Sequence, residues 1–264
     1  MSNSITFATA LSQGTVNDSA TDANSSAGTS TKVRIAIALF LIIEALLAFA
    51  PLAILGPAIG WPGSLRNPAA QQLAAIAAAP EALRLGYSFY LLYSLAILPV
   101  AVIVAWRVTG LNGKLSALIV ALGALSALSR AIGILRWLTV MPLLANSHAS
   151  ADPATRAAIE LTFSAINSYG GGIGEVLGMA LFGGLWLLVA MAAAVRSRSL
   201  PWWLIGLGAV AALLQLALAA PTFGIALHVP VAVAVTVFVL WLVAFAAHVL
   251  FARRLGSGLS RRAI

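Results

Sequence analysis

The sequence has no cysteine and few charges. Without thiols there is no disulfide, no thiolate metal site and no thiol nucleophile. Charged residues make up only 8% of the 264 positions, against 61% hydrophobic residues and a mean hydropathy of +1.01. So little polarity cannot cover a soluble globule of this size. Acids are the scarcer sign, seven against fifteen Lys and Arg. The resulting net charge of +8 would suit a nucleic-acid partner only if the bases were gathered on one soluble face, and here they are spread between apolar runs. No cofactor or metal motif is present: the three histidines show no HExxH-type spacing. What the chain does have is long apolar stretches, which indicate an all-α, polytopic membrane bundle and disfavour a soluble enzyme or a β-barrel.

Residues 1–31 are polar and aperiodic, the composition of a disordered N-terminal tail. No basic start or early apolar stretch precedes Lys32, so the first hydrophobic segment reads as a retained anchor rather than a cleaved signal. Within a transmembrane domain at 32–252, six spans are expected near 33–55, 85–106, 115–145, 171–195, 200–221 and 229–251. The third is longer than a bilayer needs and should tilt or project. Lys32, Arg34, Arg107, Lys114, Arg196, Arg198 and the four arginines of a basic tail at 253–264 flank one side; Arg66, Arg84 and Arg156 flank the other. Ten against three puts both termini in the cytoplasm, at the cell membrane, with anionic lipid as the natural contact of the basic end.

Two longer connections face outward and look alike. One begins Asn67-Pro68 and the other Asp152-Pro153, each a capping residue followed by proline at the first helical position. Each should open a short amphipathic helix, and in the second Ile159, Phe163 and Ile166 share a face. Each helix precedes a span, a basic turn and another span, the pattern of a degenerate parallel repeat. Glu44 lies 23 residues before Asn67 and Arg130 lies 22 before Asp152, so the repeat sets an acid of span one and a base of span three at similar depth, where they can pair.

Arg130 is 16 residues past Lys114, about 24 Å of helix, still inside a hydrocarbon core of about 30 Å. Arg136 lies nearer the interface beside Trp137, with Glu175 of span four as its partner. Each central arginine costs roughly 2.5–3.5 kcal/mol to insert, and about fourteen Leu, Ile and Val residues are needed to offset the two. Span three therefore needs partners. Glu44, Arg130, Arg136 and Glu175 form a candidate buried polar centre, with snorkelling and purely structural ion pairs as the alternatives. Around Glu175, Gly170, Gly174 and Gly178 recur every four residues and form a packing face for another helix, within one subunit or between copies. A phosphate loop would need a preceding strand that is absent here. Ser126 and Gln215 read as interhelical hydrogen-bonders, His148 and His228 as isolated outer residues, and Pro99, Pro142 and Pro221 as kinks or helix ends.

The stretches "APEALRLGYSFYLLYSLAILPV", "SRAIGILRWLTVMPLLA" and "GEVLGMALFGGLWLLVAMAAAVRSRSLPWWLIGLGAV" resemble the bacterial integral membrane family known as domain of unknown function 4386, over roughly residues 33–251. The resemblance implies a six-helix membrane architecture and supplies no catalytic residues. Two classes of function stay open. One is a non-enzymatic bundle whose charged centre binds or passes a small ligand or serves a sensory or regulatory role. The other is a membrane-embedded enzyme acting on a lipid or other apolar substrate, with Glu175 as acid or base and Arg136 holding an anionic headgroup.

Overall fold

The computed structural model describes residues 31–251, and within them every element is helical. The tails expected at 1–31, save Thr31, and at 253–264 lie outside the described residues. Five helical stretches are long and apolar enough to cross a membrane: Thr31–Ile59, Pro80–Thr109, Gly113–Ser150, Pro153–Ser197 and Val231–Phe251. The segment expected as a span at 200–221 is an apolar helix of 16 residues followed by a 3-10 turn.

The first stretch comprises α1 (Thr31–Leu47) and α2 (Ala50–Ile59), divided by a turn before Pro51 and ended by Gly60 in the left-handed region. Then come α3 (Ala69–Ala78) and α4 (Pro80–Thr109). The helix α5 (Gly113–Leu138) continues after an irregular Thr139 as α6 (Val140–Ser150). The Thr139 hydroxyl donates to the Leu135 carbonyl at 2.7 Å, a back-bond that bends helices. Next, α7 (Pro153–Gly171) passes through a π-helical segment, Gly172–Phe182, into α8 (Gly183–Ser197). Two apolar helices, α9 (Trp202–Ala217) and α10 (Val231–Phe251), complete the bundle.

The two longer connections depart from their expected symmetry. Asp152 caps α7: its Oδ1 accepts from the backbone of Ala154 and Thr155 at 3.0 and 3.1 Å. These bonds and the Thr155 hydroxyl hold its carboxyl below the usual aspartate range. Asn67 makes no such cap. Helix α3 starts at Ala69, and it is the Asn67 carbonyl that is used, accepting from Gln72 Nε2 at 2.7 Å. Nor is the second connection a separate short helix, because α7 is 19 residues long and continuous with the following span. At about 1.5 Å per residue, the 38 residues of Gly113–Ser150 and the 45 of Pro153–Ser197 outrun any bilayer. Their excess packs with α3 into a cap whose core holds Leu73, Ile76, Met141, Ala145 and Phe163.

Below the cap a larger core, with Leu41, Ile97, Ile119, Trp186, Trp241 and Phe245, joins α1, α4, α5, α8, α9 and α10. At the opposite end from the cap, Arg34 donates to the Val249 and Leu250 carbonyls at 2.9 and 2.6 Å, fastening the start of α1 to the end of α10. Arg107 lies 3.3 Å from His248 at this same basic end.

Helix α5 and the π segment approach each other backbone to backbone. A Cβ added at Gly133 would lie 2.6 Å from Gly174 Cα and 2.9 Å from the Gly170 carbonyl, backbone atoms that no rotamer change can move. Gly133→Ala should therefore destabilise the protein by about 1–3 kcal/mol. Gly206→Ala, on α9 with nothing within 4 Å, should leave it unchanged or slightly firmer. Thermal unfolding of the two detergent-solubilised variants checks this; equal melting temperatures would count against the packing described.

Candidate functional site

The charged residues sit where the two apolar cores meet, and a register between helices puts them there. On α5, residues 130, 133 and 136 recur every three and face residues 178, 174 and 170 of the antiparallel neighbour, which recur every four. A Cβ at Gly178 would lie 2.7 Å from Arg130 Cγ, Gly174 meets Gly133, and a Cβ at Gly170 would lie 2.5 Å from Arg136 Cδ. Rows spaced by three against rows spaced by four are a standard way for helices to interlock. The glycine stripe thus does two things. Its middle position lets backbones touch, and its outer two leave room for arginine stems.

On the other flank α4 brings a ladder of tyrosines, Tyr87, Tyr90 and Tyr93, also spaced by three. Their rings follow one another at 6.5 and 6.2 Å, and Tyr87 stacks on Trp137 at 4.8 Å with 3° between planes. Trp61 from the loop after α2 meets Tyr90 edge-on at 6.0 Å. Nothing in the expected polar centre anticipated this aromatic wall. Its signal was legible as "YSFYLLYS", a run of tyrosines at the period of one helix face.

Arg130 is 6% exposed, and its guanidinium lies over the Tyr93 ring, 4.8 Å from the centroid. The expected pairing with Glu44 is absent as a contact. Glu44 is fully buried, and neither of its carboxylate oxygens has a hydrogen-bond partner among the described residues. Arg130 is the charge whose field acts on it. The host of Arg130 is therefore an aromatic face, which attracts a cation through its quadrupole more strongly once water is removed.

Arg136 does approach its expected acid. Its Nη2 is 4.0 Å from Glu175 Oε1, while Nη1 donates to the Gly133 carbonyl and Nε donates to Asn167 Oδ1 at 3.3 Å. The guanidinium also sits 5.4 Å from the Trp137 ring. Its side chain is 10% exposed, whereas that of Glu175 is 64% exposed, so the acid stands at a mouth and the base inside. Ser126 donates to the Gly178 carbonyl at 2.7 Å and braces the π segment, and Gln215 lies against Gly183 at its end.

These groups surround a small open cleft of about 50 Å³, bordered by both arginines, Glu175, Tyr87, Tyr90 and Trp61. Of the four expected residues the structure thus gathers three on one cleft and keeps Glu44 behind Arg130. Elsewhere, His148 Nε2 lies 2.9 Å from Glu160 Oε1 and joins α6 to α7 inside the cap. Among the described residues no three of His, Asp and Glu come together as a metal site.

Neither the curated proteins nor the solved structures contain a match to this chain. One family model does match, described as Domain of unknown function (DUF4386), over residues 35–246, a range that holds the arginine face of α5, the tyrosine ladder and the glycine stripe. The chain belongs to this family of helical membrane proteins.

Proposed function

We propose that this protein crosses the cell membrane six times, with α9 as the short fifth crossing and both termini in the cytoplasm, and that it binds a small organic anion in the cleft below its outer cap. One observation carries the binding reading. Arg130 is almost wholly buried yet has no carboxylate in contact, and it borders an open cleft. A guanidinium carries five N–H donors and an aromatic ring satisfies few of them, so an anion entering the cleft finds a partner there. Arg136 adds a second positive group, and the buried Tyr87 hydroxyl has no hydrogen-bond partner among the described residues. Trp61, Tyr87 and Tyr90 give the wall a flat apolar character. This combination favours a ligand with an anionic head and an apolar body.

A purely structural role for the arginines is the competing reading, and the Arg130–Tyr93 contact favours it, because that contact ties α5 to α4. Benzoate separates the two. Under the binding reading it raises the melting temperature of the purified protein in proportion to occupancy. Arg136→Gln should weaken benzoate about ten- to a hundredfold, the worth of a charge-assisted hydrogen bond, beyond any loss of melting temperature in the ligand-free protein. A variant that melts early and binds no worse would leave the arginines a structural role only.

The crossing number and orientation rest on the lengths of the apolar helices and on the ten-to-three distribution of Lys and Arg. Because the chain has no cysteine, single-cysteine variants report cleanly. In intact cells a membrane-impermeant maleimide should label Ser150→Cys at the cap and reach Asn112→Cys, in the α4–α5 turn, only after permeabilisation. The reverse pattern would invert the topology.

A further inference from the structure

Glu44 is the buried ionisable group that the cleft does not use. It lies ten residues along α1 from Arg34, or about 15 Å, which is mid-membrane depth. It is enclosed by protein rather than lipid, with zero exposure, and both its oxygens lack hydrogen-bond partners among the described residues. A carboxylate in such a place is tolerated only against a nearby positive charge; otherwise it takes up a proton. The charges around it are few. Helix α2 has no titratable residue, and the one on α10, His248, is at the basic end beside Arg107. On α4 the polar groups near this depth are Tyr90, Tyr93 and Ser94, while Glu81, Arg84 and Arg107 lie toward the helix ends. Lys32 and Arg34 are at the start of α1, and on α5 Lys114 is at the first turn and Arg136 faces Glu175. Arg130 is left as the countercharge, and Arg130 also borders the cleft.

We propose that Glu44 is a proton-binding site coupled through Arg130 to the cleft, so that an anion binds together with one proton. The proposal rests on the anion-binding reading of the cleft. With the cleft empty, burial disfavours an ionised Glu44 and the field of Arg130 only partly offsets this, so the ionised form belongs to the alkaline side. An anion drawn to the guanidinium neutralises that field, and Glu44 then takes one proton from solvent. Arg130 keeps its own protons throughout. One negative charge and one positive charge enter, and the buried region keeps its net charge, which matters where uncompensated charge is expensive. The coupling is reciprocal by linkage: a proton on Glu44 frees Arg130 for the anion.

The test is benzoate titration calorimetry of the full-length protein in buffers of different ionisation enthalpy, between about pH 6 and pH 9, where benzoate stays ionised and arginine stays charged. The parent should take up close to one proton per benzoate at the alkaline end, and its affinity should fall toward tenfold per pH unit there. Glu44→Gln, which keeps size and polarity, should bind benzoate with no proton uptake and a flat pH profile, at least as tightly as the parent does at pH 9. Binding by the parent without proton uptake overturns the coupling and leaves the cleft reading standing. Uptake that persists in Glu44→Gln assigns the proton elsewhere and overturns it too. Absence of benzoate binding in the parent overturns both readings, and the parent protein alone decides this whether or not the variant folds.

Discussion

The structure depends on housing two guanidiniums inside an apolar helix bundle. An arginine amid hydrocarbon needs space for its stem, partners for its head and an exclusion of lipid, and no single helix supplies all three. Here α5 carries the charges, the glycine stripe of the neighbouring helix makes room for the stems, and the tyrosines of α4 supply faces for the heads. Each contribution is meaningless alone. Glycines at 170 and 178 would be poor helix formers without arginine stems to receive, and a tyrosine ladder at mid-membrane would leave its hydroxyls dry. The three helices are held in place by this mutual need as much as by the apolar cores above and below it.

Much of this was legible from the sequence, and the limits have physical causes. Apolar run lengths gave the membrane class, and the Asp152-Pro153 pair gave a real cap. The approach of Arg136 to Glu175 was readable because both positions are near the same end of adjacent spans. Counting along Glu44 and Arg130 fixes their depth, but it says nothing about rotation about each helix axis, and rotation decides contact. Arg130 turns toward Tyr93 instead. Asn67 has the same side-chain chemistry as a cap, yet the short Gly63–Arg66 turn before it sets a different local path, and its backbone rather than its side chain is engaged. The continuity of α7 with the following span was hidden by glycine. The expected start of span four at 171 falls among Gly170, Gly171 and Gly172, which stay helical here because tertiary contact with α5 overrides their weak helix preference.

The basic end follows the same logic in a wetter setting. Basic side chains here also bond to neighbouring helices. Arg34 donates to the Val249 and Leu250 carbonyls of α10 and so ties α1 to it. One side chain thus joins two helices, and removing it would cost both bonds.

The π segment links the packing to the chemistry. Gly172–Phe182 replaces the usual i to i+4 ladder by a wider turn, and such insertions concentrate at functional sites. Ser126 binds the Gly178 carbonyl across the helix interface and helps to hold the wider turn open. Were the stretch to regain regular α geometry, each residue gained or lost would rotate α8 by about 100° relative to α7. Glu175 and Gly178 lie within the segment, whereas Asn167, the other side-chain partner of Arg136, lies before it. Regular geometry would therefore separate groups that now converge on one guanidinium and would close the space that receives the Arg130 stem. The distortion is thus the local condition for both arginines to share a cleft, and the glycines that permit it are the same ones that seat them.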